Sequence, residues 1–278
     1  MQRMHRFMRN AAYRWVANRR GFAGALMSIA AAGALANRSV FPETDAVRVA
    51  AASDLKFVLG ELIAQYQRET GHHVQLSLGS SGNFAQQIRH GLPVDLYMAA
   101  DESYVFQLAD SGLTQDRGRV YAVGRVALLV PKASALALDP RWDGLRLALP
   151  SLRAFAIANP EHSPYGRAAR ESLQHAGLWE QVAAKVVLGE NIAQATQFVT
   201  SGAAQAGITA LSLAVAPEVA ALTRSLVVPA DWHRPLRQRM VLLRGARPEA
   251  AGLYGFLQGA AARAVFQRYG FGTDAANR

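Results

Sequence analysis

Four places in the chain put small, hydrogen-bonding residues at the start of an amphipathic run. They are Ser53 before 54–68, Ser80-Ser81-Gly82-Asn83 before 84–90, Ser163-Pro164-Tyr165 before 166–176, and Asn191 before 192–201. Each run has the three- and four-residue apolar spacing of a helix, and the first turn of a helix carries N–H groups with no intrahelical acceptor. Together with the macrodipole, those groups make a helix start a place to hold an anion. Plain N-capping is the alternative at each of the four. Topology favours the anion: Ser53 and Ser81 each follow a predicted strand, which sets both on the ligand-binding edge of one parallel sheet.

Other chemistries are poorly supplied. The chain has no Cys, which excludes thiolate nucleophiles, thiolate metal sites, iron–sulfur clusters and disulfides. A serine hydrolase is the leading rival, because a serine at a strand-to-helix turn can be a nucleophile and His162 lies beside Ser163. However, Gly79-Ser80-Ser81-Gly82-Asn83 is not a Gly-x-Ser-x-Gly elbow and no Ser-x-x-Lys begins at Ser81; Ser53-Asp54-Leu55-Lys56 has that spacing, but without the further motifs that accompany it in serine acyl-enzymes. His72-His73 falls in a turn after Gly71, and Glu161-His162 has no third ligand at metal spacing. Glu190 beside Asn191 reads as a complement to the helix dipole, with a ligand carboxylate as the alternative. Arg167 is the residue that would bind an organic anion, with simple solvation as its alternative.

The elements that must position these residues alternate. Val47–Ala52 predicts a strand, followed by a helix whose apolar residues are Leu55, Val58, Leu59, Leu62, Ile63 and Tyr66. Val74–Leu78 and Asp95–Ala100 predict two more strands, and Ser103–Ser111 a further helix. The pattern then changes to two consecutive strand-like runs, 120–123 and 126–130. After them the alternation restarts with strands at Leu145–Leu149, Val186–Leu188 and Ala206–Thr209 and with the helices that follow Ser163 and Asn191. A late strand at Leu236–Leu243 and a helical pattern over 248–266 return the chain to its first unit. The fold class is therefore α/β, with two lobes joined by two crossover strands and a ligand cleft between them. Hinges are expected near 122–126 and 238–241, and Trp142, Trp179 and Trp232 are expected to serve packing or surface roles.

A length of 278 residues with 51% apolar and 18% charged composition suits about two domains and excludes disorder, collagen and coiled coil. The net charge of +10 would suggest nucleic acid, but its distribution argues otherwise. Arg3, Arg6, Arg9, Arg14, Arg19 and Arg20 lie in the first 36 residues, which contain no acid, and the remaining basic residues are scattered. That basic stretch leads into an apolar run, 22–36, ending Ala34-Leu35-Ala36, the order of a secretory signal peptide. The run is shorter than the ~20 residues of a transmembrane helix. An uncleaved anchor is the alternative reading. Asn18-Arg19-Arg20-Gly21-Phe22 resembles a twin-arginine signal. The sequence thus predicts export, with no nucleic-acid partner.

Several segments taken together resemble one family. Ala50-Ala51-Ala52-Ser53-Asp54-Leu55, Gly79-Ser80-Ser81-Gly82-Asn83, Gly91-Leu92-Pro93-Val94-Asp95-Leu96, the stretch from Ala158-Asn159-Pro160-Glu161-His162 to Gly166, and Arg268-Tyr269-Gly270-Phe271 look like those of periplasmic molybdate-binding proteins, the solute receptors of molybdate ABC transporters. The resemblance covers about residues 47–272. It implies a type II periplasmic binding fold, with a signal peptide at 1–36, lobe one at 46–122 plus 240–278 and lobe two at 123–239. It also implies a non-enzymatic, monomeric periplasmic receptor with no cofactor, which binds molybdate or tungstate and delivers it to a membrane permease. Ser53 and Ser81 would supply hydroxyls and amides, and Tyr165 and Ile192 backbone N–H groups, so that the side chains of the latter two matter little. Molybdenum would enter only as the centre of the bound oxyanion, with no protein atom ligating it. One departure stands out: where the family usually has a tyrosine reaching the oxyanion, this chain has Ala210, leaving Thr209 or Ser212 to substitute or one contact missing. The alternatives are a receptor for another oxyanion or a small organic anion, a sensor domain of a regulator, and the hydrolase above.

Overall fold

The computed structural model describes residues 46–273, so the export-signal reading of 1–36 lies outside the described residues. In chain order, β1 (Val47–Ala52), α1 (Lys56–Thr70), β2 (Val74–Gly79), α2 (Ser81–Arg89), β3 (Leu96–Ala99) and α3 (Glu102–Asp110) come first. β4 (Arg119–Gly124) and β5 (Val126–Pro131) follow, with only Arg125 between them. Next are α4 (Asp143–Ala148), β6 (Phe155–Ala158), α5 (Pro164–His175), α6 (Trp179–Ala183), β7 (Val186–Gly189) and α7 (Ile192–Thr200). β8 (Ala206–Ala210), α8 (Leu211–Ala214), α9 (Pro217–Ala220), β9 (Thr223–Val227), β10 (Leu236–Leu242), α10 (Pro248–Phe256) and α11 (Ala260–Arg268) complete the described chain.

The strands form two five-stranded sheets with one plan. Sheet one has the order β2-β1-β3-β10-β4 and sheet two β7-β6-β8-β5-β9. In each, three strands run parallel and the last two pairings are antiparallel. The fourth position of each sheet is filled by the strand that has just crossed from the other, β10 into sheet one and β5 into sheet two. Alternation along the strands places side chains on both faces. Val47, Val49 and Ala51 pack with Leu55, Leu59 and Phe266, whereas Ala50 packs with Phe84, Ile88 and Leu108. In sheet two, Val126, Leu128 and Ile157 face Trp142 and Leu173, and Ala127, Leu129 and Ala156 face Val199.

Two sequence expectations change. Leu145–Leu149 is helical, not a strand: α4 runs into a 3-10 turn, Leu149–Ser151. The cause is Asp139, whose carboxylate accepts the N–H groups of Arg141, Asp143 and Gly144 at 3.1, 3.1 and 2.8 Å and so organises a helical first turn. Leu145, Leu149 and Leu152 are buried at helical spacing while Leu147 is 83% exposed. The strand of this unit is β6, a short fully buried run, and β9 supplies a further strand at the sheet edge. The helical pattern over 248–266 is two helices, parted at Gly259.

Trp142 sits at the head of α4 with φ of 59°, fully buried and edge-on to Trp232 at 5.0 Å. Its replacement leaves a large void that fixed neighbours cannot fill. Trp142→Ala is expected to cost about 3–5 kcal/mol and to lower the Tm by on the order of 10 °C, as measured by calorimetry.

Candidate functional site

The small residues ending β1 and β2 release the chain into turns at the sheet edge. Ser53 opens a 3-10 turn, Ser53–Leu55, that leads into α1, and Ser81 is the first residue of α2. Both are buried, at 2% and 1% exposure. From the other lobe come the first turns of α5 and α7. Ser163 and Asn191 cap these helices, accepting from Gly166 N at 3.4 Å and Gln194 N at 3.1 Å. Plain N-capping therefore holds at those two positions and fails at the other two, where no side chain caps its own helix.

The uncommitted hydroxyls turn to other partners. Ala193 N in α7 donates to Ser53 Oγ at 3.2 Å, so a hydroxyl of lobe one sits on a helix start of lobe two. Ala100 N donates to Ser81 Oγ at 3.0 Å. Each oxygen thus has an acceptor position filled and keeps its O–H proton to donate. Bonds around the helix starts account for the neighbouring amides: Gly82 N and Phe84 N in α2, Gly166 N and Arg167 N in α5, and Ala193 N, Gln194 N and Ala195 N in α7. The N–H groups of Ser81, Tyr165 and Ile192 stand in these first turns without an intrahelical acceptor. Two hydroxyls and several amides, all neutral donors, are thus set at the meeting of the lobes. Among the described residues no group of three His, Asp or Glu is placed to hold a metal ion.

Behind these donors lies a polar junction that the sequence reading missed. Asp54, 1% exposed, receives at Oδ2 the Tyr165 hydroxyl at 2.9 Å and Gln238 Nε2 at 2.6 Å. Tyr121 donates to Gln238 Oε1 at 2.6 Å, and Ser212 donates to the Asp54 carbonyl at 2.8 Å. The register of β10 against β4 shifts at Gln238/Arg239, leaving Tyr121 as the extra residue, and such a bulge re-aims side chains beside a site. The expectation that the Tyr165 side chain matters little is therefore corrected: its phenol ties α5 to the turn that carries Ser53. Burial raises the carboxyl pKa of Asp54 to about 6, against the lowering effect of the Gln238 and Tyr165 hydrogen bonds. Burial likewise holds the Tyr165 and Tyr121 phenols well above 10.

The rim of the cleft closes through a second set of contacts. Ser80 donates to the His162 carbonyl at 2.5 Å and faces His162 Nδ1 at 2.9 Å, while Gly82 N donates to the same carbonyl at 2.9 Å. Asn83 donates to Glu190 at 2.5 Å, and His162 Nε2 lies 3.8 Å from that carboxylate. Ser80, His162 and Glu190 thus share the composition of a catalytic triad, but the serine proton goes to a backbone carbonyl, which makes the group a clamp between lobes. Arg167 is neutralised by Asp101 at 2.6 Å and also donates to Tyr104 at 2.9 Å, so it bridges the lobes rather than waiting for an organic anion. A cavity of about 470 Å³ opens here, lined by Gly82, Asn83, Tyr104, Glu161 and His162 among others. A larger one, about 1010 Å³, lies between β4, β10 and the last helices and includes none of the proposed oxyanion donors, though Tyr121 of the polar junction lines it. Thr209 pairs its hydroxyl with Thr196, which donates to the Ile192 carbonyl at 2.7 Å. Ala210 is buried in the apolar cluster that also holds Ala52, Ala100, Tyr165 and Ile192.

Two sheets of one plan, joined by two crossings and meeting at opposed helix starts, define a bilobal solute receptor. The chain matches the family profile described as bacterial extracellular solute-binding protein over residues 47–272, and it belongs to that family. Its relatives include the molybdate-binding protein ModA of Azotobacter vinelandii, 35% identical over 229 residues that span 81% of this chain and 89% of the relative. Another is the molybdate-binding protein ModA of Escherichia coli, 30% identical over 255 residues, 90% of this chain and 96% of the relative. Among solved structures, the periplasmic molybdate-binding protein of Azotobacter vinelandii superposes with a TM-score of 0.75 and 27% identity, covering 82% of this chain and 99% of that one.

The Asp54 carboxyl generates a pH dependence of stability. Its folded pKa of about 6 exceeds the ordinary 3.8, so the folded state holds this proton more tightly than the unfolded chain does. That stabilisation is complete below pH ~4 and is lost as pH rises through ~6, a swing of about 3 kcal/mol. Asp54→Asn is expected to remove it. In urea titrations, the variant's stability relative to wild type should improve by about 3 kcal/mol between pH 4 and 7. A relative stability that does not change with pH would show the carboxyl to be solvated.

Proposed function

We propose that this protein is the periplasmic receptor of a molybdate ABC transporter, with Ser53, Ser81, Tyr165 and Ile192 holding the oxyanion. The observation that carries this reading is the set of neutral donors facing one another across the lobes, with the acceptor positions of Ser53 and Ser81 already filled. A dianion leaving water requires several charge-assisted hydrogen bonds, each worth about 1.5–3 kcal/mol, and preorganised hydroxyls and helix amides supply them without a cation. Such donors suit molybdate and tungstate, which are unprotonated near neutral pH. Hydrogen phosphate brings a proton that these donors cannot accept.

The resemblance leads one to expect a tyrosine hydroxyl near position 210. Thr209 does not replace it, since its hydroxyl is committed to Thr196, so the oxyanion is held with one contact fewer. The lobes close over the anion by hinge motion at the two crossings, and a membrane permease reads the closed monomer. No covalent step belongs to this function.

Calorimetric titration of the mature protein is expected to show tight binding of molybdate and tungstate, weak binding of sulfate and almost none of phosphate. Silence toward all four, with binding of a carboxylate or a sugar, overturns the reading. Ser53→Ala and Ser81→Ala should each weaken molybdate binding by about 1–3 kcal/mol, roughly 5- to 150-fold in Kd. Unchanged affinity in both variants would place the site elsewhere.

A further inference from the structure

Asp54 poses a problem for an anion receptor. It follows Ser53 in the same turn, it is buried, and its Oδ1 has no hydrogen-bond partner. Among the described residues no cation stands among the groups that shift it. The groups facing it are the Tyr165 and Gln238 side chains, Ser212 on its carbonyl, and the Tyr121 phenol behind Gln238. The start of α7 that hydrogen-bonds the preceding Ser53 carries Ile192 and Ala193 and brings no ionisable side chain in its first turn. Lys56, two residues on, is exposed with its ammonium over the Phe57 ring at 5.2 Å. His162 and Glu190 lie at the rim, engaged with Ser80 and Asn83.

We infer that Asp54 takes up one proton from solvent when the oxyanion binds, so that the receptor captures anion and proton together. This rests on the oxyanion reading above. A dianion held at Ser53 and an ionised carboxylate on the next residue are like charges in a junction that excludes water, and such a pair does not stay fully ionised. The oxyanion is the weaker base near neutral pH, so the carboxylate becomes the acid. Oδ2 already accepts two hydrogen bonds, and the proton therefore goes to the unpartnered Oδ1. The carboxyl is poised for this, since burial, opposed by the hydrogen bonds it accepts, already raises it to about 6. The Tyr165 and Tyr121 phenols, held well above 10, do not exchange protons in this range.

The test is calorimetric titration of the full mature protein with molybdate at pH 7.5, in two or more buffers that differ in ionisation enthalpy. The slope of observed heat against buffer enthalpy counts the protons. Wild type is expected to take up close to one, and its Kd should weaken by up to about tenfold per pH unit between pH 6 and 8. Asp54→Asn should take up none and bind with a Kd independent of pH. Tyr165→Phe removes a donor to the carboxylate and should move the wild-type profile to higher pH, whereas a merely structural loss would weaken binding equally at every pH. Tight binding by wild type with no proton uptake overturns the inference even if the variants fail to fold. Uptake that persists in Asp54→Asn also overturns it and assigns the proton to another group. If none of the oxyanions binds, the functional reading fails first and this inference falls with it.

Discussion

A dianion cannot leave water unless fixed donors replace its hydration, and this requirement organises the molecule. Helix starts are a source of such donors that needs no cation, but each offers only a few N–H groups. Several must therefore point at one place. Two α/β sheets whose parallel strands end at a common cleft achieve this, because each strand end feeds a turn and each turn begins a helix. Ser53 and Ser81 arrive from one sheet, and Tyr165 and Ile192 from the other.

Convergence also demands close approach between the lobes, which two glycines permit. A Cβ on Gly82 would stand 2.7 Å from the His162 carbonyl oxygen and 2.9 Å from the Tyr104 hydroxyl. One on Gly124 would stand 2.5 Å from the Tyr165 hydroxyl and 2.9 Å from Gln238 Nε2. The first keeps the rim shut, and the second leaves room for the polar junction at the crossing. The same side chains that position the proposed oxyanion donors thus span both lobes, so in that reading filling the site and closing the cleft are coupled through shared atoms.

Much of this is legible in the residues themselves. The serines at strand ends, the amphipathic helices and the late returning strand are local patterns, and they lead to the fold class and to the proposed donors. What escaped is long-range. Asp54 reads as an ordinary helix-start acid, and nothing local in Gln238 or Tyr121 connects them to it; they meet only because β10 inserts beside β4 with a shifted register. Arg167 reads as a free cation because Asp101, which neutralises it, lies in the other lobe. The Leu145–Leu149 stretch misleads for a different reason. A short apolar run fits a strand or a buried helix equally, and the arbiter was the capping carboxylate of Asp139.

The placement of β10 has a consequence for how the chain is made. Sheet one sets β10 between β3 and β4, which the ribosome delivers more than a hundred residues earlier. Until that strand emerges, β3 and β4 have no neighbour to pair with on those edges, and the first lobe stays incomplete however long it waits. Its assembly is thus tied to the end of synthesis, and high sequence separation of this kind slows folding. A nascent chain that cannot finish its first lobe remains open to chaperones for the whole of its elongation.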